Sequence, residues 1–574
     1  MKQIKITFLL FLSLLFLYTC KAEAQTTYNL NTIWQHRGID TVDVFGTSLA
    51  GGDINKDGFS DIVIGSPPLS LYSSNPYKGT IRIYTDYIDT IADIILTGEN
   101  ATNRYGQYIC TGDFNGDEYC DIAVSATDYG STYEDGKVYV YYGGDPMDTI
   151  ADWSVTRNNT REYFGCSLAS GDINGDKIDD LVIGAYMHST NNWGDGCVYI
   201  YYGDTLGLHT WPDVVIHGGL YDILEHFGIT VASGGDLNGD GCDDIIVGAD
   251  ANSESYSNAG KVYIYYGGEP MDTLPDGWIH GEGIEHMLGA WTLALSKIND
   301  KTWAAIGANL YPGGYWSSQT NGKMYLLKQD AAWDTIPQIT KVGLDTLTGY
   351  GIGCFNLSNL SADSLEELGV SMNSPIPDPM SMGQADIILG QKNIDTNPAG
   401  YIRGRWQGDW LVNMGAAGDV DGDGKSEVLF SNSLADSNRM VWLCKYTGPD
   451  GVAGEPVSYD KVYSLKLGQN YPNPFRQSTV IRYQVTGDGP VKLAVYNVAG
   501  QLVKTLTPPN PPPSFQNGES FSGQALEGRD KREGSGSITW DGRDDNGRAV
   551  ANGVYIYKLN ADGKSISKKM IIIK

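Results

Sequence analysis

Apolar and polar residues alternate with a period of two along most of the chain, and no stretch carries a helical stripe. One unit recurs. An apolar strand runs into an acidic loop, and a short apolar run such as 62–65 leaves it. A third segment is aromatic and alternating, as in Lys137-Val-Tyr-Val-Tyr141, Cys197-Val-Tyr-Ile-Tyr201 and Lys261-Val-Tyr-Ile-Tyr265. A weaker fourth segment often carries tryptophan, at Trp153, Trp211 and Trp278. β-Branched and aromatic enrichment between Gly, Asn and Asp punctuation predicts strands throughout. The acidic loops start at 53, 113, 172, 236, 297, 356 and 419, a period of about 60 residues. Four antiparallel strands per period, repeated seven times, predict a radial array that leaves only short edges. Residues 28–34 supply the fourth strand that the last unit lacks after 441–446, which would clasp the first unit to the last. The fold class expected is therefore all-β, a seven-bladed β-propeller over 25–447 followed by a small Ig-like β-sandwich over 462–574.

Five of the loops read Asp-x-Asn/Asp-x-Asp-x-x-x-Asp/Glu. They are Asp53, Asn55, Asp57 and Asp61; Asp113, Asn115, Asp117 and Asp121; Asp172, Asn174, Asp176 and Asp180; Asp236, Asn238, Asp240 and Asp244; and Asp419, Asp421, Asp423 and Glu427. Calcium is a hard cation that takes six to eight oxygens at about 2.3–2.6 Å, and alternate side chains of a tight turn converge on one point. Positions one, three and five can cap an ion, and position nine adds a carboxylate from the start of the next strand. Position six is Gly58, Gly241 and Gly424 in three loops, where φ > 0 suits glycine, but Glu118 and Lys177 in two others. An EF-hand would need Glu at position twelve and flanking helices; here position twelve is Ile64, Val124, Ile183, Val247 and Phe430. Asx-rich turns can exist without metal, yet five such clusters of carboxylates would repel one another unneutralised. The fifth repeat (297–303) and the sixth (read as starting at Asn356) lack the ligand set, so about five calcium ions are expected.

Each loop is preceded by an aromatic or apolar residue and glycine: Phe45-Gly46, Tyr105-Gly106, Phe164-Gly165, Phe227-Gly228, Leu288-Gly289, Tyr350-Gly351 and Met414-Gly415. With the acidic loops, these steps make residues 28–447 resemble FG-GAP repeats, the units of the integrin alpha-subunit propeller and of many bacterial secreted proteins. The resemblance implies a ligand face away from the metals. Loops joining second to third strands lie there, and they carry Tyr77, Tyr133, Trp193, Tyr256, Tyr315 and Trp316 among Asn, Ser and Gly. Aromatic side chains with adaptable polar neighbours suit an extracellular protein or carbohydrate ligand. Packing against neighbouring blades is the other role open to them.

The chain carries a net charge of −29, which excludes nucleic acid as a partner. Residues 462–574 are nevertheless basic, with 15 Lys+Arg against 9 Asp+Glu, so the acidity belongs to the repeats. A basic start, an apolar run over 6–18 and Ala22-Glu-Ala24 read as a signal peptide, 1–24, and no other segment is long and apolar enough to be transmembrane. After a Gly/Pro-rich linker, 448–461, come Leu467-Gly-Gln-Asn-Tyr-Pro-Asn-Pro-Phe475, Ile538-Thr-Trp-Asp-Gly-Arg-Asp-Asp-Asn-Gly547 and Lys568-Lys-Met-Ile-Ile-Ile-Lys574. These are similar to the type A C-terminal sorting domain of the Bacteroidetes type IX secretion system. The resemblance implies that this machinery is a partner and that the product is secreted or held at the outer-membrane surface. Residues 508–534, rich in Pro, Gly and charge, read as a disordered insertion.

Seven cysteines follow the signal peptide without a CxxC pair, and they read as small buried core residues. The seven histidines (36, 188, 209, 217, 226, 280, 286) recur in register rather than marking a unique centre. No Gly-x-Ser-x-Gly elbow, His-Glu-x-x-His pair or phosphate loop is present, so no catalytic residue is assigned. A binding or adhesion module is the expected function. The alternatives are a polysaccharide lyase or hydrolase on the same scaffold, or a spacer in a surface layer.

Overall fold

A computed structural model describes most of residues 26–448 and 465–573; the longest segments outside it are 69–76, 313–320, 329–336, 373–383, 404–412 and 507–532. The signal peptide, the linker and the 508–534 insertion lie essentially outside the described residues. Among the described residues every regular element is a strand.

Seven antiparallel sheets occupy the repeats, six of four strands and one of five. Within each sheet burial rises and falls from one strand to the next. The first strand of the first sheet, Ser48–Gly52, is half-buried at every position, as expected of a strand lining a central channel. Second strands, such as Asp61–Ser66, Asp121–Ala126 and Asp180–Ala185, are buried at every position because sheets cover them on both faces. That is why they read as unbroken apolar runs. Outer strands alternate, as Trp153–Thr156 does, because one face meets solvent.

The sheets form a closed ring, and the apolar cores show it. Each core cluster takes side chains from two consecutive sheets: Val138 and Trp153 meet Leu181 and Tyr199, and Val198 and Ile200 meet Val247 and Tyr263. The last joins the two ends of the repeats, with Trp34, Phe45, Ile62 and Tyr84 packed among Ala417, Leu429, Val441 and Leu443. Leu30–Arg37 pairs antiparallel with Met440–Tyr446 as outer strand of the last sheet, and Thr26–Tyr28 pairs with Gly400–Arg403 as fifth strand of the one before.

The aromatic–glycine step has a mechanical explanation. Phe45, Phe164 and Phe227 are buried between sheets, and Gly46, Gly165 and Gly228 have φ of 82°, 85° and 85°. At several of these steps the left-handed turn aims the glycine carbonyl at the preceding sheet, where it accepts a hydroxyl: Ser431 Oγ donates to Gly46 O at 2.6 Å, Ser167 Oγ to Gly228 O at 2.9 Å and Thr230 Oγ1 to Gly289 O at 2.7 Å.

Residues 465–573 form a second unit of two sheets, one of three strands and one of four. Ile481, Tyr483 and Trp540 from the first share a core with Leu493, Val495, Tyr557 and Met570 from the second.

Candidate metal centres

Each acidic loop joins a first strand to a second, so all lie at one end of the ring. They are also bonded edge to edge. The residue at position eight of one loop donates its N–H to the carbonyl at position one of the loop before: Cys120 to Asp53, Asp179 to Asp113, Asp243 to Asp172 and Ser60 to Asp419, at 2.8–3.0 Å. Two position-eight carboxylates return the bond, Asp179 Oδ2 accepting the Asp113 N–H and Asp243 Oδ2 the Asp172 N–H.

Inside a loop, the short polar side chains fold the backbone around themselves. Asp53 accepts the N–H groups of Asp57 and Gly58, Asn55 that of Asp57, and Asp57 that of Phe59, at 2.9–3.1 Å. The second loop repeats all four bonds. Glu118 and Lys177, with φ of 67° and 74°, adopt the conformation that Gly58 holds at 87°. The turn therefore forms with a side chain at position six, at a steric cost of about 1–2 kcal/mol.

Position nine does more than offer a ligand. Asp180 is fully buried, its Oδ2 accepting the N–H groups of Ile173 and Asn174 and its Oδ1 that of Gly203. Asp121 and Asp244 make corresponding bonds to Phe114 and Gly143, and to Leu237, Asn238 and Gly267. These carboxylates clamp the base of the loop to the end of the third strand. Burial, with the neighbouring loop carboxylates adding to it, raises Asp121 to about 7, Asp180 to about 8, Asp244 to about 7 and Glu427 to about 8, and holds Asp61 well above the usual range.

The sixth loop corrects the sequence reading. Leu360 donates to Glu367 Oε2, the same seven-residue offset as Ile173 to Asp180, and Ser426 donates to Asn359 O as Cys120 does to Asp53 O. The loop therefore starts at Asn359, not Asn356, and its position nine is the fully buried Glu367. Aligning on that offset finds it.

The fit to a cation rests on oxygens that have no donor. Asp61 Oδ1, Asp172 Oδ1, Asn359 Oδ1, Asp421 Oδ1 and Glu427 Oε1 are buried without a hydrogen-bond partner. Asn359 Oδ1 is an acceptor only and the carboxylate oxygens are so when ionised, and a hard cation is the partner that favours that ionised form. Among the described residues, Asp419, Asp421 and Asp423 also bring one oxygen each within 4.8 Å of one another. In that loop an internal cation already stands close: Lys445 Nζ is 2.7 Å from Asp421, 2.5 Å from Asp423 and 3.9 Å from Glu427.

Of the aromatics placed on the opposite end, Tyr133, Trp193, Tyr315 and Trp316 lie outside the described residues. Tyr256 is 52% exposed, whereas Tyr77 turns its hydroxyl inward to Ser66 O and Thr80. Tyr77 therefore packs as part of the scaffold.

Comparison with known proteins agrees with this geometry. The FG-GAP repeat pattern matches residues 45–84, 105–141, 164–201 and 227–265. Integrin alpha-5 of Xenopus laevis is 31% identical over 214 residues, 36% of this chain and 20% of that one. Integrin alpha-7 of Rattus norvegicus is 34% identical over 179 residues, 30% and 15% of the two chains. Phosphatidylinositol-glycan-specific phospholipase D of Bos taurus is 33% identical over 172 residues, 27% and 20%. The matched region spans a fifth or less of each relative's length. Repeated four-stranded sheets, the FG-GAP matches and the integrin alpha relatives together support an integrin-like FG-GAP β-propeller.

Proposed function

We propose that this chain is an exported, calcium-dependent seven-bladed β-propeller that binds an extracellular protein or carbohydrate ligand on the end opposite its acidic loops. The observation that supports it most is the sorting of chemistry by end: buried oxygens without a hydrogen-bond partner cluster at one rim, and Tyr256 is exposed in a second-to-third-strand loop at the other. Calcium would sit among Asp53, Asn55 and Asp57 and the matching residues of the other four loops, holding the ring so that the opposite loops keep their positions. Among the described residues no helix is long and apolar enough to cross a membrane.

A glycan and protein array probed with the mature protein tests this reading. Binding that is lost in chelator and restored by calcium is expected, and Tyr256→Ala should weaken it. Absence of any calcium-dependent binder would overturn the binding role, and turnover of a polysaccharide on the array would replace it with an enzymatic one.

We assign 25–447 to the propeller, 448–461 to a linker and 462–574 to an Ig-like sorting domain that hands the protein to type IX secretion machinery. Deleting 462–574 should trap the protein in the periplasm, and undiminished export would remove that assignment.

A further inference from the structure

We propose that the third sheet carries a second kind of metal site, a three-ligand centre for zinc formed by His188, Cys197 and His217. Their ligand atoms, two imidazole nitrogens and a thiol sulfur, lie within 4.8 Å of one another. The fold brings them together from three places. Cys197 opens the third strand and pairs across to His217 on the outer strand and to Ala185 at the end of the second. His188 stands in the turn that follows, its N–H donating to Ala185 O at 3.0 Å. The cluster is therefore at the end of the sheet away from the acidic loop, which enters at Asp180.

Two of the three ligands are buried, Cys197 completely and His188 at 8% exposure, while His217 is exposed at the rim. Behind them sits a fixed carboxylate. Glu162, 1% exposed, lies 3.1 Å from His188 Nδ1, and Tyr199 Oη donates to its other oxygen at 3.3 Å. Tyr199 Oη also lies 3.3 Å from His188 Nδ1, and Glu162 Oε1, which has no hydrogen bond of its own, is close enough to take the Nδ1–H once Nε2 holds the ion, the second layer that histidine–metal sites generally use. Tetrahedral zinc with nitrogen at about 2.0–2.1 Å and sulfur at about 2.3 Å needs ligand atoms about 3.3–3.7 Å apart, so atoms that already lie within 4.8 Å of one another have at most about 1.5 Å to close.

Neighbouring sheets show what this position ordinarily holds. In three of them the third strand opens with lysine, whose ammonium meets a glutamate at 2.6–2.7 Å: Lys137 with Glu99, Lys261 with Glu254 and Lys323 with Glu282. Each of these ammoniums also lies over two aromatic rings. In the third sheet the lysine is Cys197, and Arg157 stacks 4.2 Å above Tyr199 instead. His188 is matched by Asn252 and His217 by His280 in the next sheet, where Lys261 leaves no thiol between them. Only the third of these sheets combines a soft sulfur with two imidazoles; burial pushes the Cys197 thiol up to about 12 and the Arg157 guanidinium opposes this only in part, so the arriving metal must itself displace the thiol proton. Thiolate and imidazole select zinc over calcium, which keeps to oxygen.

The test uses the full chain held in calcium, so that the acidic loops keep their own ion and a failure there is seen separately. Zinc titration should show one tight equivalent, accompanied by proton release. Cys197→Ser, nearly isosteric, and His217→Ala, at the surface, should each abolish it, and Glu162→Gln should weaken it by about 10–100-fold as a positioning residue. Cobalt in place of zinc should give a thiolate charge-transfer band and tetrahedral visible absorption. No tight equivalent, equal uptake by the Cys197→Ser variant, or an octahedral cobalt spectrum without the sulfur band would each overturn the site.

Discussion

Stripping calcium from the mature protein should lower its melting temperature by roughly 10 °C or more, and the drop should widen as the pH rises from 5 to 8. A site held at a hundred times its Kd adds about 2.7 kcal/mol to the folded state, and 1 kcal/mol moves a medium-sized domain by about 2–4 °C. Several proposed sites on one ring add together. The seventh loop, at Asp419–Glu427, should contribute least, because Lys445 already neutralises Asp421 and Asp423. The pH dependence follows from the clamping carboxylates. Burial raises Asp121 and Asp244 to about 7 and Asp180 and Glu427 to about 8, whereas unfolded carboxyls titrate near 4. Between about pH 4 and 8 the folded, metal-free chain keeps protons that the unfolded chain has lost, so its stability falls as pH rises through that window. Bound calcium compensates the charge and removes that slope. Scanning calorimetry with and without chelator at pH 5 and pH 8 checks both parts. Coincident curves at pH 8 would show that the loops need no ion.

The ring and its acidic rim were legible because both are written in short-range spacing. A 60-residue period, an alternating third strand and carboxylates two residues apart need no knowledge of distant contacts. What escaped depends on residues far apart in the chain. Gly203 reaches Asp180 across 23 positions, and Lys445 reaches Asp421 across 24, from a different strand. Glu367 was missed because Asn356 was taken as the start of the sixth loop; Asn359 stands as far after Tyr350 as Asp236 does after Phe227, and the bonds from Leu360 to Glu367 and from Ser426 to Asn359 fix that register. Tyr77 looked like a binding aromatic because composition cannot tell a hydroxyl aimed at Ser66 O from one aimed at solvent. Cys197 reads as a small core residue and is buried in one of the apolar clusters. Its histidine neighbours come from a turn and an outer strand, and only strand pairing places them beside it.

Two substitutions in one loop should separate clamping from ion binding. Asp180→Ala removes the acceptor for three N–H groups, those of Ile173 and Gly203, which are buried, and that of Asn174, which is partly so. At about 1–3 kcal/mol for each of the two buried donors left unsatisfied, the loss is about 2–6 kcal/mol, and it persists in chelator because no ion is involved. Asp176→Ala removes an exposed side chain that accepts from Ile178 and from the Asn174 amide, worth about 1 kcal/mol in chelator. In calcium the order of sensitivity changes. Asp176→Ala forfeits a ligand at position five, so its melting temperature should respond to calcium less than that of the parent protein. Asp180→Asn should fall between, since its amide keeps one acceptor oxygen but turns an NH2 group toward a backbone donor. Denaturant unfolding of the three variants, each with calcium and with chelator, gives the comparison. Equal destabilisation of Asp176→Ala and Asp180→Ala in chelator would mean that the buried carboxylate is no clamp. The hairpin would then be held by its turn alone.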